Sequence, residues 1–199
     1  MFKVIFAIIA VSLSVNANAR SIVVLGDSIS AAYGIEVQQG WVSLLQQKLN
    51  QQGYDYNIHN ESISGDTSAG GLARIDKALS QHQPNIVLLE LGANDGLRGL
   101  SPKAMQANLT KIIQRSKKSG AKVLLLAMRL PPNYGKRYID LFYNVYPQLA
   151  KDEQITLVPF ILEEVALKKE LMQADGLHPN AKGQPIIRDR VFKYLQADL

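Results

Sequence analysis

The chain has 199 residues, of which 47% are hydrophobic and 20% charged, with a formal charge of +5 and no cysteine. That length supports one well-buried domain and is short for two. No disulfide framework or lipoprotein anchor is possible without cysteine. The scattered basic residues (Lys117-Lys118, Lys168-Lys169, Arg188, Arg190) lack the concentration on one element that nucleic-acid binding requires.

Residues 1–19 read as a secretory signal peptide. Lys3 precedes the apolar run Val4–Val15, and Ala17-Asn18-Ala19 supplies the small-residue cleavage site. The run is too short for a membrane span, which takes about 20 apolar residues. Cleavage after Ala19 leaves a domain of residues 20–199, exported to the periplasm or beyond. Losing Lys3 lowers the formal charge by one, from +5 to +4. A solvated basic surface follows, with at most peripheral contact with membrane lipid.

Beyond the leader, apolar runs recur as Ile22–Leu25, Tyr56–Ile58, Ile86–Leu91, Val123–Met128 and Ile155–Phe160. Amphipathic stretches of helical length lie between and after them: Trp41–Gln52, Gly71–Gln81, Pro102–Ser119, Tyr138–Ala150 and Pro185–Ala197. Ser101-Pro102 starts the third helix, Gly53 and Gly120 close the first and third, and Pro147 is expected to kink or end the fourth. Unbroken β-branched runs such as Ile22–Leu25 suit strands covered on both faces. The alternation therefore predicts an α/β fold of three layers, α/β/α, around a five-stranded parallel sheet with right-handed crossovers. A flavodoxin-like strand order follows from the fold class alone.

Polar and turn-forming residues gather where these strands end. Gly26-Asp27-Ser28 follows the first run, with Gly26 expected to allow a sharp turn. Ile63–Thr67 follows the second, Leu91–Gly96 the third, and Asp175-Gly176-Leu177-His178-Pro179-Asn180 lies near the C-terminus. Each is an ordinary turn sequence by itself, but together they hold the parts of a hydrolytic site. Ser28 is a nucleophile if a base takes its proton. Of the three histidines, His178 has Asp175 three residues before it, placed to hold the imidazole in one tautomer. His59 and His82 have no acid at a telling spacing and read as structural or solvated. An oxyanion could be met by the N–H of Ser28, the N–H of Gly65 and the side-chain amide of Asn94.

Gly26-Asp27-Ser28, Gly65, Gly92-x-Asn94-Asp95 and Asp175-x-x-His178 resemble, in order, the four blocks of the SGNH (GDSL) hydrolases. Asn60–Thr67, Gly92–Gly99 and Leu130-Pro131-Pro132-Asn133-Tyr134-Gly135 look most like the exported thioesterase, lysophospholipase and arylesterase branch. The chain departs from that pattern at Ile29, where leucine is usual, and at Pro132, where a smaller residue is expected. The resemblance implies a flavodoxin-like fold and hydrolysis of acyl esters, thioesters and lysophospholipids without metal or other cofactor. It also implies Ser28, His178 and Asp175 as catalytic residues, with Ser28, Gly65 and Asn94 as the oxyanion hole. A monomer acting on small-molecule substrates is expected.

The segment Arg129–Arg137 leaves the fourth strand at the same edge. Leu130, Pro131 and Tyr134 are read as substrate-binding residues, a wall against the acyl chain. Three other readings stay open on the residues. They are a carbohydrate acetylesterase of the same family, a non-catalytic binding module, and a metal-dependent hydrolase using Asp27, Asp66, Asp95, Asp175 and His178.

Overall fold

Each of the five apolar runs forms a strand of one parallel sheet in the computed structural model, which describes residues 20–199. β1 (Arg20–Gly26), β2 (Tyr56–Asn60), β3 (Ile86–Glu90), β4 (Lys122–Leu126) and β5 (Thr156–Val158) stand in the order β2-β1-β3-β4-β5. The leader read in residues 1–19 lies outside the described residues. Ile22 to Leu25 of β1 and Val87 to Leu89 of β3 are fully buried, because helices cover both faces of the sheet.

The helices are α1 (Trp41–Gln51), α2 (Ser68–His82), α3 (Ala93–Leu97), α4 (Pro102–Lys118), α5 (Lys136–Asp152) and α6 (Gln184–Leu195). α1 packs on α6, while α4 packs on both α2 and α5, giving the two outer layers of the α/β/α sandwich. Trp41, Leu45 and Leu49 recur every four residues and form the buried stripe of α1. The expected fold class and flavodoxin-like order are those observed.

Three local expectations differ. α2 begins at Ser68 rather than Gly71, because the Thr67 hydroxyl accepts from the Gly70 N–H and caps the helix there. Asn94-Asp95-Gly96, an ordinary loop sequence, lies in the short helix α3. Pro147 does not end the fourth helix: α5 runs on to Asp152. Phe142, Val145, Tyr146, Leu149 and Ala150 are buried on both sides of the proline, and that shared packing outweighs one missing backbone donor.

From β1 the chain crosses to β2 on one side, then returns to β3 on the other. The loops after β1 and β3 therefore diverge and leave a crevice at the carboxyl ends of the strands, where ligands bind in open sheets of this kind.

Leu88 lies at the centre of this layer, fully buried in β3. Leu88→Ala is expected to lower the free energy of unfolding by about 2–5 kcal/mol. Urea denaturation monitored by circular dichroism checks this through a shifted midpoint.

Candidate active site

Ser28 lies two residues beyond β1, at the crevice. Its Oγ is 2.8 Å from His178 Nε2, and His178 Nδ1 is 2.7 Å from Asp175 Oδ2. The relay spans 150 residues of sequence at one end and a single turn at the other. Within that turn Asp175 Oδ1 accepts the N–H groups of Leu177 and His178 at 2.9 and 3.0 Å. Partial burial would raise the Asp175 carboxyl, but the His178 and Leu177 amides and the His178 ring overcome this and hold it at about 2.

The His178 turn is tied at several points. The Gln173 N–H donates to the His178 carbonyl at 2.8 Å, and Met172 bridges to Pro179. Gln173 Nε2 donates to the Tyr33 carbonyl at 2.7 Å, and the Tyr33 ring lies 4.7 Å from the His178 ring. Tyr33 and Gln173 thus join the turn to the segment following Ser28, a link that no motif in the sequence announces.

The three expected oxyanion donors meet at the same edge. Among the described residues the N–H groups of Ser28 and Gly65 donate to no protein acceptor. Asn94 Nδ2 donates to the Asp66 carbonyl at 2.9 Å and to Asp27 Oδ2 at 3.2 Å. The longer contact is the weaker. Gly92 places Asn94: its φ of +117° favours glycine, and a Cβ would lie 2.4 Å from the Tyr146 hydroxyl.

Gly26 serves differently from the expected turn residue. It ends β1 without a left-handed backbone, and its lack of a side chain is a matter of space. A Cβ there would lie 2.7 Å from Ser30 Oγ and 2.8 Å from Glu90 Oε2. Glu90, fully buried at the end of β3, accepts from the Ser30 hydroxyl at 2.7 Å and from the Asp27 N–H at 3.2 Å. Burial pushes the Asp27 carboxyl up to about 6, and burial together with the Asp27 charge pushes Glu90 well above the carboxylate range. Sequence reading missed Glu90, which closes an apolar strand with no signal of its own.

The acids of the metal reading are engaged separately. Asp95 accepts from the Ser68 N–H and hydroxyl, Asp66 pairs with Arg74, and Asp175 holds His178. Among the described residues no three Asp, Glu or His side chains are grouped to hold a metal ion. His82 does have an acid partner, contrary to expectation: Glu61 Oε1 lies 2.6 Å from its Nε2, and His59 stacks on His82 at 4.1 Å. A separation of 21 positions in the sequence concealed that pair.

Beside Ser28 opens a cavity of about 630 Å³. Leu130 and Pro131 are among its lining residues, with Leu162, Ala166 and Met172 from a segment that sequence reading left unassigned. Tyr134 does not line it. The Tyr134 hydroxyl donates to the Leu97 carbonyl at 3.0 Å, and that bond pins the loop to α3.

The sequence pattern of the GDSL-like lipase/acylhydrolase family matches residues 24–186. Esterase TesA of Pseudomonas aeruginosa is 51% identical over 186 residues, covering 94% of this chain and 92% of that protein. Thioesterase 1/protease 1/lysophospholipase L1 of Escherichia coli K12 is 47% identical, covering 90% of this chain and 85% of that protein. The crystal structure of the psychrotrophic esterase EstA from Pseudoalteromonas sp., inhibited by monoethylphosphonate, superposes with a TM-score of 0.86 at 45% identity. It covers 89% of this chain and 97% of that one.

The depressed Asp175 carboxyl has a consequence for stability. A folded value of about 2, below the unfolded value near 3.9, stabilises the fold above about pH 4, and this is lost as pH falls through about 2. Asp27 acts in the opposite sense, since folding takes up its proton between about pH 4 and about pH 6. Asp175→Asn is expected to cost about 1 kcal/mol at neutral pH, screened because the carboxyl is 38% exposed. Chemical denaturation at stepped pH should show the difference from the parent closing between about pH 4 and about pH 2.

Proposed function

The chain belongs to the GDSL-like lipase/acylhydrolase family, and on that premise we propose that it is an exported serine esterase and thioesterase with Ser28 as nucleophile. The observation that carries this reading is the unbroken relay from Ser28 Oγ through His178 to Asp175, at 2.8 and 2.7 Å. Ser28 Oγ attacks the acyl carbonyl as its proton passes to His178 Nε2. Asp175 holds the ring by Nδ1–H and stabilises the imidazolium. The negative oxygen takes the N–H groups of Ser28 and Gly65 and the Asn94 amide. His178 then returns the proton to the departing alcohol or thiol, and water repeats the cycle on the acyl-enzyme.

The apolar cavity supports a long acyl chain in preference to an acetyl group, and so disfavours the carbohydrate acetylesterase reading. The relatives named for thioesterase, lysophospholipase and esterase activity support acyl esters, acyl thioesters and lysophospholipids as the substrate range. Leader cleavage after Ala19, periplasmic or secreted location, monomeric state and peripheral contact with lipid complete the reading.

Phosphonate labelling tests the nucleophile. An organophosphonate ester should modify the protein once, at Ser28 by peptide mass mapping, and Ser28→Ala should abolish both labelling and turnover while the circular dichroism spectrum is unchanged. Modification at another serine would sink the assignment.

Acyl-chain preference tests the cavity. Each buried methylene is worth about 0.8 kcal/mol, so a wall touching two or three of them shifts preference by roughly ten- to a hundredfold. Leu130→Ala and Met172→Ala are expected to lower kcat/KM by that factor for decanoyl and longer esters while leaving butyryl esters within about twofold. Equal loss at all chain lengths would mean that these residues support the fold alone.

A further inference from the structure

Two carboxyl groups lie beneath the Ser28 turn and take no part in the proton transfers above. Glu90 Oε2 receives the Asp27 N–H at 3.2 Å and the Ser30 hydroxyl at 2.7 Å. Asp27 Oδ1 receives the Ile29 N–H at 3.1 Å, and Asp27 Oδ2 receives the Asn94 amide at 3.2 Å. The amides on either side of Ser28 are therefore both drawn inward, onto Glu90 and Asp27. The N–H between them, that of Ser28, has no acceptor among the described residues. Glu90 stands opposite Gly26 in the β1–β3 register, so its carboxyl reaches the turn from a fixed point of the central sheet.

We propose that Glu90 is a positioning residue for ester hydrolysis: through Ser30 and the Asp27 main chain it fixes the turn so that Ser28 Oγ and N–H face the substrate, and through Asp27 it aims the Asn94 amide. The proposal rests on Ser28 and Asn94 acting as nucleophile and oxyanion donor. Glu90 Oε1 is buried with no hydrogen-bond partner, an arrangement far more costly for an anion than for a neutral acid. Glu90 therefore acts as a neutral acceptor, and the negative charge of the pair lies on Asp27, whose two oxygens meet two donors. No room exists for adjustment at Gly26, where a Cβ would strike both Glu90 and Ser30.

The test compares Glu90→Gln, Glu90→Leu and Ser30→Ala with the parent enzyme. The readouts are turnover of 4-nitrophenyl butyrate, the rate of phosphonylation at Ser28 and thermal melting. Glu90→Gln keeps an acceptor oxygen and should hold kcat within about threefold of the parent. Glu90→Leu removes the acceptor at similar volume. A displacement of the nucleophile by an ångström costs about 10²-fold, so kcat should fall by about that factor with KM within about twofold. Phosphonylation should slow in step. Ser30→Ala, which removes one of the two donors to Glu90, should lower kcat about fivefold at unchanged KM and carries the test if the leucine variant does not fold. A folded Glu90→Leu with parental kcat, a loss confined to KM, a glutamine variant as slow as leucine, or a Ser30→Ala with parental kcat each overturns the proposal. Failure of the parent enzyme to take the phosphonate at Ser28 overturns the earlier assignment instead.

Discussion

The pairing of β1 with β3 is the constraint on which the rest of the active edge depends. These two buried strands lie in parallel register from Ile22 opposite Ile86 to Gly26 opposite Glu90. The chain leaves them in divergent directions, so the loops after each cannot cover one another. Ser28 lies in the turn after β1 and Asn94 in α3 just after β3, so the spacing of these neighbouring strands sets their separation. Gly65, after β2, joins from the outer neighbour of β1. These three residues are thereby placed from the backbone ladders of neighbouring strands.

Beneath the strand ends lies an unusually polar stretch of interior. Asp27, Ser30, Glu90, Ser68 and Asp95 are all buried, as is the Tyr146 hydroxyl, which donates to the Leu91 carbonyl at 3.0 Å. Buried polar groups of this kind are tolerated when they bond to one another, and here nearly all do. Asp95 takes both donors of Ser68 and so clamps the start of α2 to α3. Asp66, bound by Arg74, holds the segment that carries Gly65. The stability lost in burying these groups is offset by the aliphatic core below them.

Most of the fold was legible because parallel strands covered on both faces read as unbroken apolar runs, and helices between them keep their own period. The candidate site was legible where a residue follows such a run within a few positions, as Ser28, Gly65 and Asn94 do, or stands beside its partner, as His178 does to Asp175. Elsewhere the relevant contact joins residues far apart in sequence. Glu90 looks like the last residue of a strand until Ser30 is seen against it. Glu61 and His82 meet across the edge of β2. Residues 161–174 have neither helical nor strand periodicity, so the place of Leu162, Ala166 and Met172 in the cavity lining is seen only in the structure. Local propensity predicts a break at Pro147, and the packing of α5 on both sides of the proline overrides it.

The His178 turn differs in kind from the rest of the site. Ser28, Gly65 and Asn94 are anchored to strands of the central sheet. His178 and Asp175 instead sit on a hairpin-like excursion closed by the Met172–Pro179 bridge and a few side-chain bonds, several of them solvent-exposed. Segments with few buried apolar contacts and exposed hydrogen bonds open independently of the global transition. His178 thus meets Ser28 from a segment outside the sheet, tied to the strand end through the Gln173–Tyr33 bond. The amides bonded within that turn, those of Gln173, Leu177 and His178, are expected to exchange with solvent ahead of those in the central sheet.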